Sequence, residues 1–322
     1  MQYVVQTIGS ENRDQFTELA IRFPSAAFNR EIPRRDWWCY DNPYDGAFSI
    51  VPANHEIAAT CYVSGKRLSL GGMTVPAFEI GETATEPAHQ RKGLFSKLVK
   101  SSVAYGFKHG AEVIYGTPNS QSTPGYSKLG FEIVTDDRSV MLIALNVFHW
   151  MPVLEKARRM LKGINNFVEL SPEQYIQITC NFRRLHVSTT DYLQWRFSKP
   201  SLNYRFFQIK IENNTYLCAL KPGFLGKYSF LICSECFYNG EKPSTRKSCS
   251  FVKRAAAENY NSAEYVGIQI HCEKPSFLKK VFLSFRAVIF HRNLPICFLA
   301  KSPGTFRANW FENFQLSDCD IG

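Results

Sequence analysis

The spacing of apolar residues changes period along the chain, and each change marks an element. QYVVQTI predicts a strand over 2–8, and the run that follows predicts a helical region over 11–30. Apolar-rich stretches at 47–52 and 57–64, split by the turn at Pro52-Ala53-Asn54, predict a pair of strands, and a long strand follows the Gly71-Gly72 turn over 75–85. The period then lengthens: Leu94, Leu98, Val99 and Val103 fall on one face of a helix over 91–109. A strand at 112–117, a short helix near 121–129 and a strand at 131–144 complete the first half.

The second half runs through the same order. A helical segment over 155–186 precedes strands at 204–211, 215–221 and 228–238, the first two joined by a turn at Asn213-Asn214. A helix at 247–260, a strand at 264–270, a short helix at 275–284 and strands from 286 onward follow. One constant offset of 157 lays Trp38-Cys39-Tyr40 with Pro43 on Trp195-Arg196-Phe197 with Pro200, and YSKLGFEIV at 126–134 on LSFRAVIFH at 283–291. The fold class is therefore α/β, with an α+β mixed sheet in each of two tandem duplicated domains, 1–150 and 151–322, the second degenerate. Two unrelated α/β domains are the alternative.

Composition narrows the function. At 322 residues, 45% hydrophobic and 20% charged, the chain can bury two cores and is not a disordered polymer. Its formal net charge of +10 favours polyanionic partners: phosphorylated small molecules, nucleic acid or a membrane surface. The basic residues are scattered rather than clustered, which speaks against a nucleic-acid face. MQYVVQTIGSENRDQF lacks the charged start and long apolar centre of a secretory signal, so a cytoplasmic location is expected. The CxxC at Cys233 and Cys236 lies in a strand pattern without a second pair or spaced histidines, so no metal is expected.

The stretch GETATEPAHQRKGLFSKL, 81–98, carries the chemistry. A helix begins with N–H groups that have no partner and with the positive end of its dipole, so it attracts anions. Gly93 lets an anion approach the main chain, while Arg91 and Lys92 add charge and Gln90 adds polar contacts. Pyrophosphate suits such a turn. Upstream, Glu82 to Pro87 is placed to diverge from the neighbouring strand, leaving main-chain groups that pair with an extended amide ligand. A ligand with a pyrophosphate and a chain of amides describes coenzyme A.

These residues resemble the GNAT superfamily of acyl-CoA-dependent N-acyltransferases. Its pattern, Gln/Arg-x-x-Gly-x-Gly/Ala at the head of the main helix, corresponds to Gln90-Arg91-Lys92-Gly93-Leu94-Phe95, with Phe95 where the family has a small residue. VIYGTPNSQSTPGYSKLGFEIV continues the resemblance, which covers roughly 1–145. It implies that Thr83, Ala84, Thr85, Gln90, Arg91, Lys92, Gly93, Leu94, Phe95, Ser96 and Asn119 hold acyl-CoA, the donor. It also implies that Tyr126 is the general acid and that Glu79, with Glu82 as its rival, is the base.

At the same offset the pyrophosphate turn becomes Lys247-Ser248-Cys249-Ser250-Phe251-Val252, without glycine, and Tyr126 becomes Leu283. The second copy is thus expected to bind no CoA and to help wall an acceptor site between the domains. Trp37, Trp38, Tyr40, Trp195 and Arg196 are the candidate wall, since aromatic faces suit sugar rings and arginine suits phosphate. Asp318 and Asp320 are either functional or solvated. The two-domain layout is similar to that of bacterial N-acyltransferases acting on nucleotide-linked (dTDP-type) amino deoxy sugars for surface polysaccharide synthesis, which implies a nucleotide-sugar acceptor. Acetylation of an aminoglycoside or polyamine, and non-catalytic acyl-CoA sensing, are the alternatives.

Overall fold

In a computed structural model, the residues described are 3–15, 18, 37–53, 56–70, 72–134, 139–144, 167–180, 182, 189–198, 202–211, 214–225, 228–239, 251–252, 255–256, 259–260, 265, 267–272, 287–291, 296–302 and 304. Most of the helical region expected over 11–30, the helix expected near 275–284, Leu283, Asp318 and Asp320 lie outside them; of the helix expected near 247–260, Phe251, Val252, Ala255, Ala256 and Asn259 are described and helical.

The first half contributes β1 (Gln6–Gly9), β2 (Gly46–Ala53), β3 (Glu56–Leu70), β4 (Met73–Thr85), α1 (Leu94–Lys108), β5 (Val113–Gly116), α2 (Thr123–Lys128), β6 (Glu132–Val134) and β7 (Ser139–Ala144). The second contributes β8 (Phe167–Leu170), α3 (Pro172–Thr179), α4 (Thr190–Phe197), β9 (Arg205–Ile211), β10 (Asn214–Leu225), β11 (Tyr228–Asn239), β12 (Gly267–Cys272), β13 (Ala287–His291) and β14 (Ile296–Ala300).

Two seven-stranded mixed sheets result, ordered β1-β2-β3-β4-β5-β14-β6 and β8-β9-β10-β11-β12-β7-β13. Each is an antiparallel meander followed by one parallel pair, β4 with β5 and β11 with β12. Strand for strand the orders match, and each sheet takes one strand from the opposite half of the sequence. β14 lies between β5 and β6, and β7 lies between β12 and β13.

The compact units follow the sheets rather than a single cut at 150. One gathers Met1–Asp136, Arg184–Pro200 and Leu294–Phe314; the other gathers Asp137–Arg183, Ser201–Asn293 and Gln315–Gly322. The strand expected over 131–144 is accordingly two strands, β6 and β7, in different sheets.

Other boundaries move for local reasons. β3 continues past 64 to Leu70 and stays in register with β4 to Met73, although Gly65-Lys66-Arg67 breaks the apolar pattern. Within the segment expected to be helical over 155–186, Phe167–Leu170 is a strand. There Ser171 and Gln174 form a capping box with Pro172 at the first turn, so α3 starts at Pro172.

In the first sheet α1 covers one face, burying Leu94, Leu98, Val99, Ser102 and Gly106. They pack on Cys61, Val63, Phe78, Ile80, Ile114, Tyr126, Phe131 and Cys297. Gly106 permits close approach to β5, since a Cβ there would stand 2.6 Å from Ile114 Cδ1. Among the described residues no helix is long and apolar enough to cross a membrane.

Candidate functional site

β4 and β5 pair only from Ala77–Val113 to Glu79–Tyr115, although β4 runs on to Thr85. They still touch one step later, where a Cβ on Gly116 would meet Ile80 O at 2.6 Å, and then diverge. The divergence expected from Glu82 onward thus begins earlier, just past Ile80, and it leaves the β5-facing edge of β4 without a strand partner among the described residues.

A bulge reshapes the same stretch. Against β3 the register passes from Tyr62–Gly81 to Thr60–Ala84, one extra residue on β4, and Glu82 takes the left-handed conformation at φ +44°. Alternation would send Phe78, Ile80 and Glu82 to the α1 face; the extra residue delivers Thr83 there instead. Its hydroxyl donates to Cys61 Sγ at 3.3 Å and lies 3.4 Å from Tyr126 Oη.

Below the end of β4 the chain makes a short 3-10 turn at Pro87–His89 and enters the loop Gln90–Gly93. Arg91 at φ +61° and Gly93 at φ +72° are both left-handed, a backbone arrangement that turns successive N–H groups into a concavity for an anion. Gly93 caps α1, and a Cβ on it would meet nothing within 4 Å, so the cradle is open. The first turn of α1 holds no acidic residue, and the N–H groups of Leu94, Phe95 and Ser96 precede the first intrahelical donor, Lys97 N to Gly93 O. Gln90 folds back, donating to Thr85 O at 3.3 Å. These are the features a pyrophosphate requires, and they lie beside the diverging strand edge.

Tyr126, on α2, is 4% exposed. Its ring meets Phe95 and Phe131 edge-on at centroid distances of 5.2 and 5.0 Å. Burial holds its phenol well above the ordinary value, with the nearby Cys61 and Cys297 adding to the rise. The group is therefore protonated at neutral pH. Phe95, the departure from the small-residue pattern, turns onto α2: a Cβ on Gly125 would lie 2.5 Å from its ring. The absence of a side chain at Gly125 houses the bulk of Phe95.

Asn119 shapes the entry to α2. Its amide oxygen accepts from the N–H groups of Gln121 and Ser122 at 3.0 and 2.9 Å.

The carboxylate candidates separate. Glu79 is 2% exposed on the face opposite α1, with its Oε2 3.6 Å from Lys66 Nζ. Lys66 itself lies 4.5 Å from the ring centroid of Trp195 and 5.8 Å from that of Tyr192, both on α4. The second sheet repeats this arrangement of residue types. Lys221 and Glu235 are each 3% exposed at the matching places on β10 and β11, with Tyr175 donating to Glu235 at 3.0 Å.

The aromatic wall anticipated from sequence is interior packing. Trp38 stacks on Tyr62 at 4.9 Å with no exposure. Trp195 stacks on Trp37 at 4.4 Å, and each indole N–H donates to the other's carbonyl at 2.8 Å. Arg196 is 2% exposed, 6.0 Å from the ring of Trp37, and Tyr40 donates to Ile8 O. Apart from half-buried Tyr40, these residues have almost no surface to offer a ligand. Tyr3, His89 and Lys66 carry no local signal in the sequence, because their contacts are with residues far away in the chain. Among the described residues no group of three His, Cys, Asp or Glu could hold a metal ion.

Comparison with known proteins gives a domain match in the first half and a likeness of fold over most of the chain. Residues 10–134 match the family model of the acetyltransferase (GNAT) domain. Curated proteins gave no sequence match. Among solved structures the chain is similar to a probable N-acyltransferase from Enterococcus faecalis, with TM-score 0.58 and 12% identity over 97% of this chain and 74% of that one. It is similar to a GCN5-related N-acetyltransferase from Anabaena variabilis, with TM-score 0.56 and 11% identity over 92% and 72%. A tandem GNAT protein from the clavulanic acid biosynthesis pathway gives TM-score 0.54 and 10% identity over 94% and 100%. At such identities the likeness is one of fold. The family match thus covers one domain, 10–134, in a chain whose fold is like that of a tandem GNAT protein.

Proposed function

We propose that the chain transfers an acyl group from acyl-CoA to the amine of a nucleotide-linked (dTDP-type) amino deoxy sugar. The observation that carries the donor half is the open, doubly left-handed turn at Gln90–Gly93, set at the head of α1 beside the edge of β4 that β5 leaves uncovered. Main-chain N–H groups of the turn and of Leu94, Phe95 and Ser96 receive the diphosphate, and Thr83, Ala84 and Thr85 pair with the amides of the pantetheine arm. An attacking amine forms a C–N bond to the thioester carbon, the C–S bond breaks, and Tyr126 gives the departing sulfur its proton. Thr83 meets the Tyr126 phenol where that sulfur would arrive. Glu79, committed to Lys66, serves the fold, and the amine loses its proton to water or to Glu82.

The acceptor half is supported by charge: a net +10 favours a donor and an acceptor that both arrive as polyphosphates, and disfavours cationic aminoglycosides and polyamines. The test is mass spectrometry of products after the protein is mixed with acetyl-CoA and longer acyl-CoAs against a dTDP-linked amino sugar, an aminoglycoside and a polyamine. Mass gain on the nucleotide sugar is expected. Gain only on a cationic amine would replace the acceptor, and binding of CoA without any product would favour a sensor.

A further inference from the structure

Lys92 is one of two exposed cations of the turn, beside Arg91, yet its side chain is held. Its ammonium donates to Tyr3 Oη at 2.9 Å and to Ala88 O at 3.1 Å, and it stands 5.4 Å from the centroid of the Tyr3 ring. Tyr3 is itself anchored. Its ring packs at the margin of the α1-facing core and meets His89 edge-on at 5.7 Å, and its oxygen lies 2.8 Å from His89 Nδ1. An ammonium can only donate, so the phenol accepts from Lys92, while its hydrogen bond with His89 Nδ1 anchors it to the 3-10 turn.

Two properties of this chain of contacts point to a ligand. A lysine on an open turn ordinarily keeps its rotamer freedom, and holding it still costs entropy that an ordered contact must offset. Stabilising a surface lysine for its own sake is commonly done with a carboxylate. Here, among the described residues, the partners are a phenol oxygen, a carbonyl oxygen and an aromatic face. The positive charge is thus fixed in place without being neutralised, next to main-chain N–H groups shaped for an anion.

We propose that Tyr3 is a positioning residue that holds Lys92 ready for the phosphates of the acyl donor, a role that rests on the acyl-CoA reading of the turn. The experiment is calorimetric titration of CoA into the wild-type protein, Tyr3→Phe, Lys92→Met and the double variant, with a thermal midpoint for each to confirm a folded sample. Tyr3→Phe keeps the ring and removes only the hydroxyl, and it is expected to weaken CoA binding about 3- to 10-fold, the worth of one hydrogen bond. That loss should disappear when Lys92 is already Met, because the hydroxyl then has nothing to position. An equal loss in both backgrounds, or no loss in either, overturns the role of Tyr3 and leaves the donor assignment standing. If the wild-type protein binds no CoA, the acyl-donor reading falls first and the role of Tyr3 with it.

Discussion

Lys66 and Glu79 put opposite charges inside the first sheet at 1% and 2% exposure. Removing one partner strands the other, at a cost of about 3–5 kcal/mol, whereas replacing both by apolar groups is far milder. Glu79→Gln should therefore fall in that range in denaturant unfolding, while Lys66→Met with Glu79→Leu recovers most of the loss. Should the double variant fold, bind CoA and yet lose all turnover, Glu79 would return as the base. Tyr126→Phe should lower turnover by about 10²- to 10⁴-fold with CoA affinity retained, the range of general acid catalysis, measured as product formation beside calorimetry.

Cys61, buried beside Thr83, has its thiol pushed up from 9.0 to about 11 by burial. Below pH 9 the folded and unfolded chains both keep that proton, and stability is unaffected. Between about 9 and 11 only the unfolded chain releases it, so Cys61 makes stability fall by about 1.4 kcal/mol per pH unit. Cys61→Ala should flatten that part of the pH profile of unfolding. None of these interior roles could be read from the sequence, because a lysine or glutamate in a strand pattern reads as solvated until its partner across the sheet is known.

At the level of elements, the sequence was most informative where chemistry is local. Gly93 with its basic neighbours, the face Leu94-Leu98-Val99 and the divergence of β4 all follow from residues close together in the chain, and the structure contains each of them. The bulge at Glu82 has no local mark in the sequence, since nothing but pairing with β3 reveals it. Phe95 was equally opaque, its fit depending on Gly125 in the next helix. That fit is testable: Gly125→Ala drives a methyl into the Phe95 ring and should cost about 1–3 kcal/mol. Adding Phe95→Leu should return most of it, read from paired thermal or denaturant unfolding curves.

Taken as a whole, the molecule repeats one strand order twice and exchanges one strand in each direction, β7 for β14. The repeat was visible as a constant offset; the exchange was not, since short apolar strands carry no mark of which sheet they will join. Residues 1–150 alone lack β14 and leave β5 and β6 with no strand to join them, so this fragment should show no cooperative unfolding. Produced together with 151–322 it should copurify, and independent folding of 1–150 would contradict the exchange. During synthesis the same feature imposes a wait. The first sheet cannot close until residue 300 has left the ribosome, which at ordinary translation rates is on the order of ten to thirty seconds after residue 134. For that interval the nascent N-terminal half presents bare strand edges, and its safe passage depends on whatever shields them.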